Sequence, residues 1–287
     1  MTVGKEVRRK EKGKQVIEQA INKEAQLIKR LKSFNNVLVA FSGGVDSTYL
    51  LAVAQETLKE HCKAVFARGP MISSQEEKET LAMVQHYALP VEVIDLNILE
   101  LEGFRENSSE RCYFCKRKIF ETFLDYGERS GHTSVIEGTN ASDTKDYRPG
   151  RIALEELGIL SPLLVVGLTK AEIRLLSKRR HLPTWNKPSM ACLASRVPFG
   201  DTITEELLQR IAEAEAILHH LGYLESRVRV HKDIARIEIP IENFSTFLQH
   251  RTEVTALILK LGFRFVTLDL MGLRSGSLNP IQKEGHG

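Results

Sequence analysis

The stretch Ser42-Gly43-Gly44-Val45-Asp46-Ser47-Thr48 stands between an apolar run and a helical one, and its residue types suit an anion. Two glycines let the backbone approach a phosphate closely. The N–H groups that follow and the helix N-terminus favour negative charge, and Ser42, Ser47 and Thr48 add hydroxyl donors. The GxxxxGK[ST] pattern of the ordinary nucleotide P-loop is missing. Where that loop has a lysine, this one offers Asp46, a hard oxygen ligand suited to magnesium beside a polyphosphate. The pattern predicts a phosphate cradle; the bland reading is a glycine turn with no ligand.

A second constellation is sulfur-based. Cys112 and Cys115 stand at C-x-x-C spacing in Arg111-Cys112-Tyr113-Phe114-Cys115-Lys116, and Cys192 follows in Lys187-Pro188-Ser189-Met190-Ala191-Cys192-Leu193-Ala194-Ser195-Arg196. Two such cysteines can chelate one metal centre, and Arg111, Lys116 and Arg117 would favour their thiolates. Three thiolates suit an iron–sulfur cluster with one iron left open, whereas closed zinc needs a fourth ligand such as His132 or His181. Catalytic thiols without metal are the other reading. Cys62, ahead of a β-rich run, is expected to pack in the core.

The third signal is basic. Ser195-Arg196, Arg227-Val228-Arg229 and Arg274-Ser275-Gly276 each put guanidinium or hydroxyl groups on a loop or strand, where Arg forks bind phosphate well. Alternation turns Arg227 and Arg229 to one side of their strand. Glu215, on the helix before them, is either a base or a solvent-facing carboxylate.

Positioning these groups requires an α/β scaffold. Val16, Ala20, Leu27 and Leu31 recur at helical spacing until Asn35-Asn36 breaks the pattern. Val37 to Phe41 is apolar throughout, as a strand covered on both faces would be. Further β-rich runs are Ala64 to Ala67, Val91 to Ile94 and Ser134 to Ile136, the last ending in Glu137-Gly138-Thr139-Asn140. Capping boxes are expected at Ser74/Glu77, for a helix to about Ala88, and at Thr169/Glu172. Strands alternating with helices imply a parallel sheet. Beyond Pro198-Phe199-Gly200 the pattern becomes a small α+β domain: a helix capped by Thr202 and Glu205, strands at Arg227 to Val230, Ile234 to Ile239 and Phe265 to Leu270, and a helix ending at Gly262. The organisation expected is a basic helical leader over 1–32, a first domain over 33–200 and a second over 201–287.

With 287 residues, 42% hydrophobic and 27% charged, the chain can bury real cores and is neither collagen-like nor of disordered composition. No apolar run approaches the roughly 18 to 20 residues of a membrane span, and the charged N-terminus does not read as a signal peptide. A cytoplasmic setting follows as an expectation. The 40 Lys and Arg against 37 Asp and Glu give only +3, too even to imply nucleic-acid binding. Residues 1–32 hold ten Lys or Arg against four Glu, which reads as a solvated leading helix.

The SGGxDS element resembles the pyrophosphate-binding loop of the PP-loop ATP pyrophosphatase superfamily, whose members form adenylates. With it, Asp146-Tyr147-Arg148-Pro149-Gly150, Trp185-Asn186-Lys187, Asp233 to Glu238 and Thr267-Leu268-Asp269 resemble one branch, from about Val37 to Gly276. That branch is LarE, the ATP-dependent sulfur transferases of nickel-pincer cofactor synthesis for lactate racemase. The resemblance implies ATP across the carboxyl ends of the strands, with adenine near Ala40, Phe41 and Ala67, and with Glu137 and Gly138 near the α-phosphate or magnesium. It implies that Ser195, Arg196, Arg227 and Arg229 hold the phosphate of a pyridinium-3,5-biscarboxylic acid mononucleotide, with Glu215 and Arg274 near the reacting groups.

Single-cysteine members donate the sulfur of one cysteine, which aligns at Ala191; this chain resembles the three-cysteine type, in which Cys112, Cys115 and Cys192 hold a [4Fe-4S] cluster carrying a sulfide. A homo-oligomer, often a hexamer, is implied as well. The rival readings are a PP-loop tRNA thiolase, with salt-sensitive RNA binding, and a non-catalytic ATP-binding protein.

Overall fold

The computed structural model describes residues 3–145, 149–188 and 191–274. The expected motif residues Asp146 to Arg148, Ser189, Met190, Ser275 and Gly276 lie outside that set. In chain order the first elements are α1 (Val3–Leu31), β1 (Val37–Ala40), α2 (Val45–Leu58), β2 (Cys62–Arg68), α3 (Ser74–His86) and β3 (Val91–Asp95). Then come α4 (Glu102–Arg105), α5 (Arg111–Ser130), β4 (Ser134–Ile136), α6 (Pro149–Glu156), α7 (Pro162–Val165) and α8 (Lys170–Arg179). The remainder is α9 (Glu205–His220), β5 (Arg227–His231), β6 (Ile234–Glu238), α10 (Phe244–Gln249), α11 (Arg251–Leu259) and β7 (Phe265–Leu268).

The expected parallel sheet forms in the order β3-β2-β1-β4. Val37, Leu38 and Val39 of β1 are fully buried, which is why this strand reads as a continuous apolar run rather than an alternating one. Parallel pairing in register, Val37 opposite Cys62 and Ser134, brings all carboxyl ends to one edge. Ala40 and Ala67 stand at those ends on neighbouring strands. On α1, Ala20, Leu27 and Leu31 are buried on one stripe while Val16 is exposed. Cys62 is buried at the start of β2, as expected of a packing residue.

The second sheet has the order β5-β6-β7, antiparallel between β5 and β6 and parallel between β6 and β7. Val228, Val230, Ala235 and Ile237 fill one face of the hairpin. Arg227, Arg229, Arg236 and Glu238 take the other, as period-two alternation requires.

Two caps differ from expectation. Ser73, not Ser74, accepts the Glu76 N–H at 3.1 Å, and Thr204, not Thr202, accepts the Leu207 N–H at 3.1 Å. Ser73 stands just outside the first turn, to which Ser74 already belongs, and Thr204 immediately precedes its helix; each hydroxyl sits where it can take an orphan donor. Thr169 and Glu172 do form the expected capping box. By contacts the chain divides into two compact units. One holds the residues up to Arg68, Glu79–Leu96 and Cys112–Met190, and the other holds Gly69–Lys78, Asn97–Arg111 and the chain from Ala191 on. Stretches of the expected 33–200 domain thus group with the C-terminal residues.

Candidate active site

The glycine loop is built in the first unit. Phe41 continues the β1 ladder, its N–H donating to the Val65 carbonyl at 2.9 Å, and the chain then turns at Gly43 with φ +68. Only glycine tolerates this turn: a Cβ would lie 2.4 Å from the Thr80 hydroxyl of α3. Ser42 and Ser47 close the loop, N–H to Oγ at 3.1 Å and hydroxyl to hydroxyl at 3.0 Å. α2 then begins at Gly44 with no side-chain cap, so its first N–H groups face whatever lies at the loop. A Cβ on Gly138 would meet the Ser47 nitrogen at 3.1 Å and the Asp46 Cβ at 3.2 Å. The turn after β4 therefore abuts the first turn of α2.

Asp46 is the charged centre of this loop. Its Oδ2 accepts from the Lys170 ammonium, while its buried Oδ1 and the buried Thr48 hydroxyl have no hydrogen-bond partner. Burial pushes the Asp46 carboxyl above its ordinary value, with Lys170 opposing. An unsatisfied carboxylate oxygen beside an uncapped helix suits a hard cation, so the residues present fit magnesium. Glu137 is bound up locally: Oε2 accepts from the Thr139 N–H at 3.0 Å and hydroxyl at 2.8 Å, and Oε1 from the Ser161 hydroxyl. It buttresses the turn that holds Gly138.

The arginines gather in the second unit. Arg196 is 3% and Glu215 5% exposed, joined by Nε to Oε1 at 2.8 Å and Nη2 to Oε2 at 2.9 Å. Oε1 of Glu215 also accepts the Val228 N–H at 3.0 Å, so this residue does not face solvent. Burial pulls the Arg196 guanidinium down, but Glu215, with Cys192 and Glu76, more than restores it, and the net shift is upward. Arg229 donates to Glu238 at 3.2 Å and to the Ser195 carbonyl at 2.5 Å. Arg227 differs: burial, then the nearby Arg196 charge, lower its guanidinium, and among the described residues no acceptor bonds it. Arg274 Nη1 lies 3.5 Å from Asp269, which also faces Arg236 at 3.7 Å.

The cysteines divide between the units. Cys112 and Cys115 occupy one face of the first turn of α5, the former exposed and the latter half-buried. Cys192 is exposed and precedes the short turn Leu193–Arg196 of the second unit. Among the described residues, no three His, Cys, Asp or Glu gather so as to hold a metal ion. His132 follows the far end of α5, roughly 30 Å along the axis from the cysteine pair at 1.5 Å per residue, and cannot be a zinc ligand with them. Of the flanking bases, Arg111 turns inward to Asn107 and to the Ala194 carbonyl at 2.8 Å.

The NAD synthase family matches residues 16–114, a stretch that includes the glycine loop. The chain is 34% identical over 258 residues to pyridinium-3,5-bisthiocarboxylic acid mononucleotide synthase of Lactiplantibacillus plantarum, covering 90% of this chain and 94% of that protein. The chain belongs to this synthase family. An uncharacterized protein of Synechocystis is 39% identical over 86% of this chain and 93% of its own length. Another, from Methanocaldococcus jannaschii, is 30% identical over 83% and 91%.

Around the loop of this synthase family member, sequence reasoning missed Lys170 and Thr80. Lys170 and Asp46 are 124 positions apart, and no local spacing joins them. The one available signal was the position of Lys170 at the start of a capped helix that follows the last strand of the sheet. Asn107 was missed too; its φ of +55 and its bonds to the Val197 and Pro198 carbonyls fix the chain just before Cys112.

Proposed function

We propose that the chain is an ATP-dependent sulfur transferase that adenylates a carboxylate of pyridinium-3,5-biscarboxylic acid mononucleotide and converts it to a thiocarboxylate. The observation that carries this reading is the uncapped start of α2 beside the unpartnered Asp46 Oδ1. Membership of the synthase family supplies the substrate class.

The loop N–H groups and the Ser42, Ser47 and Thr48 hydroxyls bind the phosphates, and Asp46 holds magnesium, which when bound neutralises phosphate charge. A substrate carboxylate oxygen attacks the α-phosphorus. Pyrophosphate leaves with the electron pair of the broken bond. The acyl-adenylate then presents AMP as the leaving group, so a thiolate sulfur attacks the carbonyl carbon and AMP departs. In the second unit, Arg227 and the Ser195 hydroxyl hold the substrate phosphate. Arg196, Arg229 and Glu215 keep them in place, and Arg274 lies near the reacting groups.

Cys192, Cys112 and Cys115 are the sulfur carriers in this reading. A cysteine that gives up its own sulfur does so by β-elimination: a base takes its Cα proton, the Cα–Cβ double bond of dehydroalanine forms, and the Cβ–Sγ bond breaks with its electron pair leaving on the thiocarboxylate sulfur. The [4Fe-4S] cluster with an external sulfide is the other source, although among the described residues no group of three such ligands gathers. A homo-oligomer, hexameric in the resembled branch, and a cytoplasmic setting belong to the same proposal, as does a substrate and oligomerisation role for 201–287.

Asp46→Asn tests the reading. Pyrophosphate release in the presence of the mononucleotide is expected to fall by roughly 100-fold or more, with the circular dichroism spectrum retained. Undiminished release from the folded variant would refute the role of the loop.

A further inference from the structure

Two helix starts meet at the glycine loop. α2 carries Asp46 in its first turn, and α8 opens on Lys170, whose ammonium bonds Asp46 Oδ2. With Oδ2 taken, the unpartnered Oδ1 is the oxygen left for a cation. How well Oδ1 is aimed therefore depends on where Lys170 stands.

The backbone around Lys170 is fixed from several sides. Its N–H donates to the Ser142 hydroxyl at 3.0 Å, and the Ala141 N–H donates to the Leu168 carbonyl at 2.8 Å. Thr169, the residue before it, is held by Glu172, whose Oε2 accepts the Thr169 N–H and hydroxyl, each at 2.8 Å. Glu172 is held in turn from outside α8. Lys23 of α1 donates to its Oε1 at 2.7 Å and Oε2 at 2.9 Å, and to the Gly167 carbonyl at 2.8 Å. Three acceptors match the three donors of an ammonium. An exposed ion pair would fix little geometry, but Glu172 is only 8% exposed.

The next residue of α1 grips the same helices elsewhere. Glu24 Oε1 accepts from Arg180 Nε at 2.7 Å, just past the end of α8, and from the Tyr49 hydroxyl of α2 at 2.9 Å. Tyr49 stands three positions after Asp46, about one turn along α2. Neighbouring residues of α1 thus fasten the helix that carries Asp46 and both ends of the helix that carries Lys170.

We propose that Lys23 is a positioning residue for the adenylation step: bonded to Glu172 and Gly167, it holds the cap of α8 so that Lys170 keeps Asp46 aimed at the phosphates. The inference rests on the adenylation reading and deepens it, because the leader that reads from the sequence as a solvated helix becomes part of the site's support. Lys23 touches no reacting group and acts through Lys170. Without it the Thr169–Lys170 start is free to shift, and a displacement of about 1 Å near the chemistry can cost on the order of 100-fold in rate.

Steady-state kinetics on the full chain tests this. Lys23→Met, assayed at a temperature where circular dichroism shows it fully folded, should lower kcat for pyrophosphate release about tenfold or more and leave KM for the mononucleotide within about twofold. Lys23→Arg, which can still bond both Glu172 and the Gly167 carbonyl, should recover most of kcat. A crystal structure of Lys23→Met should show the Lys170 ammonium moved off Asp46. Glu172→Gln keeps an acceptor for the cap but loses the ion pair; it should show the same split, so the test stands even if Lys23→Met fails to fold. Unaltered kcat in the folded variants, or an unmoved Lys170 in the crystal, overturns the proposal. A KM that rises as kcat falls marks a general loosening of the fold and overturns it as well. No pyrophosphate from the unaltered chain would overturn the adenylation reading itself, and this role with it.

Discussion

Arg196 spends its guanidinium on its own surroundings: Glu215 takes Nε and Nη2, while Nη1 reaches the Ala191 carbonyl at 2.7 Å, the Cys192 carbonyl at 3.3 Å and the Ser195 hydroxyl at 3.0 Å. The buried pair therefore fastens the turn that presents Cys192 and Ser195. Its value is geometric, since burying two charges recovers little net energy.

Glu215→Ala strands a guanidinium in the interior and should destabilise the fold by about 3–5 kcal/mol in urea unfolding. Adding Arg196→Met should restore much of that loss. A single-variant cost below about 1 kcal/mol would contradict the burial of this pair.

Arg227 and Arg229 stand on one side of β5 but should fail differently. Arg227→Ala is expected to raise KM for the mononucleotide by about 10- to 100-fold with little change in thermal stability, the loss of a guanidinium–phosphate contact. Arg229→Ala leaves the buried Glu238 short of a partner and should lower Tm. Steady-state kinetics with thermal melts separates the two, and the opposite pattern would reverse the assignment.

Lys23 ties α1 to the capping box of α8, donating to Glu172 at 2.7 Å and to the Gly167 carbonyl at 2.8 Å. Burial alone would raise the Glu172 carboxyl, but the bonds from Lys23 and Thr169 outweigh it and hold it below the ordinary value. A lowered carboxylate stabilises the fold above its unfolded pKa and loses that contribution as pH falls through the folded one. Lys23→Met should therefore cost about 1.5–3 kcal/mol at neutral pH, and the penalty should shrink below about pH 4. A penalty independent of pH in denaturant melts would count against this tie.

Burial pushes the Cys62 thiol up to about 12, while Cys112 and Cys192 are exposed. Thiolate is the form that alkylates. Iodoacetamide at mildly alkaline pH, followed by peptide mass spectrometry, should label Cys112 and Cys192 faster than Cys62 by on the order of 100-fold. Denaturant should erase the difference; comparable rates in the native chain would place Cys62 outside the core.

Legibility in the sequence followed locality. The run from Val37 through Thr48 announced strand, turn and helix because burial on both faces, backbone freedom and an open helix start all act within a dozen positions. Arg227 and Arg229 were legible as a pair because strand periodicity is strict. Glu215 was not, since whether a helical carboxylate faces water or an arginine depends on what packs above it. The same holds for Glu137, whose oxygens are claimed by Thr139 and by Ser161, 24 positions away. The cysteine spacing signalled ligands, yet spacing says nothing about which compact unit each thiol joins.

Because Gly69–Lys78 and Asn97–Arg111 fold with the residues from Ala191 onward, the polypeptide passes between its two units five times. Exchanging only the C-terminal third between relatives would transplant an incomplete module. A working chimera of this synthase family must carry both inner stretches along with the tail, and the natural unit of recombination here is a set of three segments.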